Sequence, residues 1–142
     1  MKLYEAIGEL KRCGKGKAFA VPLDLYLWSN VYALDERDGT LIHSSFYYAC
    51  TDCYWFLISF NGYDADHTHK ILMENEYEIV YSIKDMLKKF ELYCISETLK
   101  DNKWNIEDTF NRRIKRAIQK KLITKEEGME IVNDYYEHVR RS

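Results

Sequence analysis

The hydrophobic period changes once along this chain, at Ser82, and that change limits the fold more than any other feature of the sequence. Up to residue 81 the apolar residues come in short runs such as "AFAVPL", "VYAL" and "YEIVY", broken by turn residues, which is the pattern of strands. From Ser82 onward they recur three and four apart. Ile83, Met86, Leu87, Phe90 and Cys94 fall on one helical face. Ile106, Phe110, Ile114, Ala117 and Ile118 fall on a second, and Met129, Val132, Tyr136 and Val139 on a third. Strands followed by helices predict an α+β chain, sheet-rich over 1–81 and helical over 82–142, forming one domain of 142 residues.

Within the first half, residues 3–12 predict a helix with Leu3, Ala6, Ile7 and Leu10 on one face and Gly14 as its stop. "GKGK" reads as a basic turn whose spacing does not match a nucleotide-binding loop. Extended segments are expected at "AFAVPL" and "DLYLWS". "VYALDERDGTLIHS" predicts a hairpin with Asp38-Gly39 in its turn. The run "SSFYYACTDCYWFLISF" is expected to continue the sheet around a two-residue turn at Thr51-Asp52. The short segment "KILMEN" leads into a last strand, "YEIVYS".

In the second half, Ser82 with Asp85 three residues on predicts the start of the first helix, and "DNKW" breaks it. A second helix opens at Asn105. Thr124 and Glu127 have capping-box spacing and predict the start of a third. The short link between the last two implies an antiparallel hairpin. Residues 106–139 are then the expected seam of a homodimer, because so many amphipathic faces and aromatic residues exceed the needs of one small core.

Two motifs carry possible chemistry in the first half. Cys50 and Cys53 are separated by two residues, and His43, His67 and His69 are the imidazoles nearest in sequence. C-x2-C-x13-H-x-H approaches the zinc-finger range, but its final gap is too short for the usual H-x3-5-H. A redox role would need a helix N-terminus at the cysteines to lower the thiol pKa, and none is expected there. Both therefore read as small apolar residues at a strand end, without metal. "YDADHTH" gathers Asp64, Asp66, His67 and His69, a set able to hold a divalent cation or run acid–base chemistry, and equally an ordinary polar loop.

The strongest charge feature is "NRRIKRAIQKK". Arg112, Arg113, Lys115, Arg116, Lys120 and Lys121 meet no acid until Glu126. On a helix, Arg112, Arg116 and Lys120 form one ridge, which suits phosphates or an acidic partner surface. The alternative is a solvated face balanced by Glu126, Glu127, Glu130, Asp134 and Glu137 on the next helix. With a formal net charge of −2 over the whole chain, a specific anionic partner fits this ridge better than general nucleic-acid binding.

The first 80 or so residues resemble a known family. "YEAIGELKRCGKGKA" is similar to an E-A-[LI]-x-x-L-K-x-G-K opening, and "KILMENEYEIV" to a closing D-[LI]-L-A-x-D-W-E-V-V segment, with Tyr77 in the tryptophan position. "DGTLI" lies between them as a similar strand turn does there. The family is the second type of Thoeris anti-defence protein, small β-rich phage sponges that sequester a cyclic ADP-ribose-type immune signal as oligomers. In place of the family's Gly-Trp-Asn-Gly segment this chain has "FAVPLDLYLW", and the helical half has no counterpart there.

The resemblance implies a phage or prophage counter-defence protein that acts without catalysis or cofactor in the host cytoplasm. Its target would be a host defence protein, such as a CRISPR nuclease complex, or a nucleotide signal. The opening "MKLYEAIGELKRCG" carries acids and is no secretory signal, and Phe46–Phe60 is too polar to span a bilayer, so no membrane is expected. Four cysteines then imply thiols in a reducing compartment. Two alternatives stand beside this reading: a metal-dependent enzyme built on Cys50, Cys53, His67 and His69, and a nucleic-acid-binding accessory domain using the basic helix.

Overall fold

The computed structural model describes residues 1–13, 18–58, 64–73, 75–100 and 105–141. The chain is α+β, and its contacts divide it into two compact units, Met1–Ser82 and Ile83–Ser142. The division falls where the hydrophobic period changes.

The first unit opens with α1 (Leu3–Cys13), whose apolar face buries Leu3, Ala6 and Leu10. Five antiparallel strands follow: β1 (Phe19–Pro22), β2 (Asn30–Leu34), β3 (Leu41–Ser45), β4 (Phe56–Leu57) and β5 (Tyr77–Val80), in the spatial order β4-β3-β2-β1-β5. The core beneath α1 joins its buried face to Ala18, Ala20, Tyr32 and Tyr77. All four residues of β1 are buried, which is why "FAVP" reads as an unbroken apolar run rather than an alternating one. The expected β2–β3 hairpin is present, with Leu34 paired to Leu41 and Asn30 to Ser45. Gly39 sits at φ +74 in its turn, a conformation open to glycine.

Three segments differ from the sequence reading. "DLYLWS" is a turn and not a strand, because the Ser29 hydroxyl accepts the Tyr26 N–H at 3.0 Å and the Ser29 N–H bonds the Tyr26 carbonyl at 3.0 Å. "FYYA" forms one helical turn, α2 (Phe46–Ala49), so no strand pair flanks Thr51-Asp52. Only Phe56 and Leu57 rejoin the sheet beyond it, against His43 and Ile42. "ADHTHKILM" is helical, α3 (Ala65–Met73), and Ile71 and Leu72 pack against the α1 core. The apolar residues at its end, read only as a short segment before the last strand, are its partly buried face. "GKGK" and "DNKW" lie outside the described residues, as does the Gly14 stop.

The second unit holds α4 (Ile83–Leu99), α5 (Ile106–Gln119) and α6 (Lys125–Arg140), each packed on the other two. Phe90, Phe110 and Tyr135, one from each helix, form its centre, with ring centroids 6.2 and 4.5 Å apart along the series. The Tyr135 hydroxyl, carried into this core, meets Thr98 Oγ1 at 2.9 Å. α5 and α6 run antiparallel: Ile118 lies at Gly128 near the link, while Glu107 bonds Tyr136 at the far end. The capping box is complete, with the Thr124 side chain accepting the Glu127 N–H and the Glu127 carboxylate accepting the Thr124 N–H. The apolar stripe of this hairpin is closed by α4 of the same chain. On α6 the buried residues are Gly128, Ile131 and Tyr135, so the stripe expected at Met129, Val132, Tyr136 and Val139 is displaced and Met129 lies exposed.

Candidate functional site

The segment between β1 and β2 is pinned at both ends. The Leu23 N–H bonds the Glu76 carbonyl at 3.0 Å, the Phe46 N–H bonds the Ser29 carbonyl at 2.8 Å, and the Tyr47 N–H bonds the Leu27 carbonyl at 2.9 Å. Trp28 is thereby held beside α2, its ring 5.5 Å from Tyr47 and 6.2 Å from Tyr48. Tyr48 in turn meets Tyr54 edge to face at 4.6 Å. Trp28, Tyr47, Tyr48 and Tyr54 thus form a continuous aromatic ridge, with Trp28 56% and Tyr54 64% exposed.

Tyr54 lies at φ +56, in the left-handed region that a bulky side chain rarely occupies. Its neighbours hold it there. Cys53 donates its N–H to the Tyr48 carbonyl at 3.1 Å, and the Ser44 hydroxyl bonds the Cys53 carbonyl at 3.1 Å. Trp55 Nε1 donates to Asp52 Oδ1 at 2.9 Å, and the Trp55 ring stacks on Phe19.

This arrangement settles what the cysteine pair does locally. Cys50 is fully buried and follows the last turn of α2, and the half-buried Cys53 points its thiol at the Thr51 carbonyl, 3.3 Å away. They close a turn at the carboxyl end of a helical segment, where the dipole opposes a thiolate. His43 lies between Tyr32 and Phe56, and burial holds its imidazole below the usual pKa. His67 and His69 fall on α3, not on a strand, so the two-residue alternation that would align them on one face does not apply. Among the described residues no three His, Cys, Asp or Glu side chains come together as a metal site. Asp64 and Asp66, which opened the expected polar loop, flank the start of the same helix.

Beside the ridge, Trp28 also forms one wall of a cleft of about 660 Å³. Tyr32 and Tyr77, both buried and 6.0 Å apart edge to face, lie at its floor, and the exposed Tyr26 joins Trp28 at its rim. Two carboxylates line it. Glu76 is bound by Lys2 at 2.8 Å and by the Met1 amino group at 2.9 Å, and the Lys2 ammonium first among these lowers its pKa to about 2. Asp24, which follows Leu23 in the chain, has no partner among the described residues. Among the described residues no lysine or arginine lines the cleft.

Of the basic residues of α5, Arg112, Lys115 and Arg116 are exposed, away from the buried Ile106, Phe110, Ile114 and Ala117, and Arg113 lies beside that buried face. They are not equivalent. Arg112 pairs with Asp108 of its own helix at 3.1 Å, and Arg113 is half-buried with its Nε shielded from solvent. Lys115 and Arg116 are exposed and form no ion pair with a described residue, while Lys120 and Lys121 lie exposed at the helix end. The acids of α6 are largely committed elsewhere: Glu127 to Lys84, Asp134 to Lys88 and Glu137 to Arg141. That leaves Lys115 and Arg116 as exposed basic residues without an ion pair to a described residue.

In comparisons with known proteins, no family model matches the chain, and no curated protein or solved structure matches it either. Among the described residues no helix is long and apolar enough to cross a membrane.

Proposed function

We propose that the chain is a non-enzymatic binding protein that inhibits a host defence component, docking its aromatic ridge against a protein partner. The observation that carries this reading is Tyr54. A large aromatic ring is exposed in a backbone conformation that costs roughly 1–2 kcal/mol for any residue but glycine. Strain of this kind persists where surrounding contacts enforce it, and it gathers at binding surfaces. Rigid Tyr and Trp side chains are the residue types that dominate protein interfaces.

A protein target is favoured over a nucleotide signal by charge. A nucleotide needs a stacking ring and a phosphate donor in one place, and among the described residues no lysine or arginine lines the cleft beside the ridge. In this reading the sheet unit supplies the aromatic anchor, and Lys115 and Arg116 supply charge that steers association.

The test is capture from a host lysate by wild type, Trp28→Ala and Tyr54→Gly, with protein and extractable small molecules both measured. One protein retained stoichiometrically by wild type and lost at least roughly 10-fold by each variant is the expected result. Tyr54→Gly should melt no lower than wild type, since it relieves the backbone while removing the ring. A bound nucleotide without a bound protein would transfer the proposal to a nucleotide signal. Undiminished capture by both variants would take the ridge out of the site.

A further inference from the structure

We infer that the cleft bounded by Tyr26, Trp28, Tyr32 and Tyr77 receives an arginine side chain of the protein partner, whose guanidinium stacks on Trp28 and pairs with Asp24. The inference rests on the protein-partner reading above and specifies what that partner inserts.

Three features select this occupant. The cleft, at about 660 Å³, is within the size range of ligand sites and has aromatic walls, and such rings attract cations through their faces. Among the described residues its charged lining groups are the carboxylates of Asp24 and Glu76, which favour a cation over an anion. Of the two, Glu76 already holds Lys2, which leaves Asp24 as the acceptor without a partner among the described residues. Guanidinium is planar, forks onto a carboxylate and is weakly hydrated, so it stacks and pairs in one pose where an ammonium would do one or the other. Trp28 is shared: one ring belongs to the aromatic ridge and also forms the wall of the cleft. A partner seated on the ridge therefore has the cleft within reach of a long side chain.

The backbone pins described above hold the walls in place before anything binds. Tyr32 and Tyr77 are buried and packed edge to face, so the floor is held as well. An arginine entering the cleft would pay its own rotamer entropy and little reorganisation of the site.

The experiment uses the full chain and two small probes, N-acetyl-arginine methylamide and its neutral near-isostere N-acetyl-citrulline methylamide. Each is titrated by NMR to about 50 mM, a range that reaches the weak affinities of single side chains. Backbone amides of Asn30 and Asn75 report on the cleft. The expected result is saturable binding of the arginine probe at least roughly five times tighter than the citrulline probe. Asp24→Asn should remove most of that preference, and Trp28→Ala should abolish saturable shifts for both probes. Equal binding of the two probes, or no saturable shift from the arginine probe, would overturn the assignment. The outcome is separable from the capture experiment. Capture that depends on Trp28 without any preference for arginine leaves the ridge standing and rejects this occupant. A preference for arginine with no captured protein keeps the cation site and rejects the protein partner.

Discussion

Gly128 of α6 lies directly against Ile118 of α5, so that a methyl group on Gly128 would stand 2.9 Å from Ile118 Cγ1 and 3.4 Å from Ile114 Cγ2. This close approach is what lets the two helices meet near their short link. Elsewhere in a helix, alanine in place of glycine gains about 1 kcal/mol. Here Ile118 must move, and a β-branched side chain on a helix has few other rotamers. Overpacking of this kind costs about 1–3 kcal/mol, which outweighs the gain. Gly128→Ala should therefore lower the melting temperature, and Ile118→Val added to it should recover part of the loss. A variant that melts higher than wild type would mean that Ile118 swings clear.

Lys121 ends α5 at φ +60, with its N–H bonded to the Ile118 carbonyl and the Leu122 N–H bonded to the Ala117 carbonyl. Glycine is the usual residue at such a helix end. Lys121→Gly should raise stability by about 0.5–1 kcal/mol while deleting one charge of the basic helix. Because stability and charge move in opposite senses, a loss of partner binding in this variant is assigned to the charge alone. Thr124→Ala, three residues on, should cost about 1 kcal/mol by removing the cap of α6, and chemical denaturation measures both.

Glu91 gives the helical unit an acid-stabilised component. Its carboxylate is 5% exposed, and Oε1 has no hydrogen-bond partner. Lys88 and His138 face it with Asp134 and Glu130, and desolvation, the dominant influence, raises its pKa. A carboxyl whose folded pKa lies above its unfolded value contributes stability that is complete below the unfolded pKa and is lost as pH rises through the folded one. Glu127 behaves oppositely: the Thr124 N–H first and Lys84 second hold its pKa down, so its contribution is complete above 4.5 and fades as pH falls. Glu76 does the same in the sheet unit, fading toward pH 2. Glu91 should therefore add stability as pH falls from neutral toward 4.5, while His43, kept neutral by burial, loses stability as pH falls through 6.5. Glu91→Gln should stabilise the protein at neutral pH by about 1 kcal/mol and flatten the rising limb, as read from melts across pH. A difference in melting temperature between wild type and Glu91→Gln that does not change between neutral pH and 4.5 would contradict the assignment to Glu91.

The helices of the second unit were legible because each buries a stripe of period 3.6 and two carry recognisable starts, Asn105 and the Thr124–Glu127 box. The β2–β3 hairpin was legible from its turn chemistry. What sequence could not supply was the local competition at residues 46–49 and 65–73. "FYYA" has strand propensity, but the Phe46 N–H bonds the Ser29 carbonyl and the Tyr47 N–H the Leu27 carbonyl, and that tertiary contact turns the segment into a helix. In "ADHTHKILM" the apolar residues gather at one end, so a nine-residue helix shows too few periodic positions to declare itself. The aromatic ridge was hidden for the same reason. Its members come from 28, 47, 48 and 54, and only the turn at Ser29 and the helix α2 bring them together. The abundance of tyrosine was visible as composition; its placement was not.

The basic helix offers the last prediction, and the structure changes which residues should be replaced. Arg112 and Arg116 share the expected ridge and Arg113 lies beside it, but reversing Arg113 would place a carboxylate where the Nε is shielded from solvent, and reversing Arg112 would set a second acid beside Asp108. Either change lowers stability for reasons unrelated to a partner. Lys115 and Arg116 are free of both complications, so Lys115→Glu, Arg116→Glu should leave stability within about 0.5 kcal/mol of wild type. If these charges steer an acidic partner toward the chain, association should slow several-fold at low salt, and its salt dependence should weaken with little change in dissociation. Rim charges act this way because exposed pairs contribute little to the bound state but shape the field during approach. Association kinetics measured at two ionic strengths with the captured partner read this directly. An unchanged association rate in a folded variant would remove α5 from the binding surface and leave the aromatic ridge to act alone.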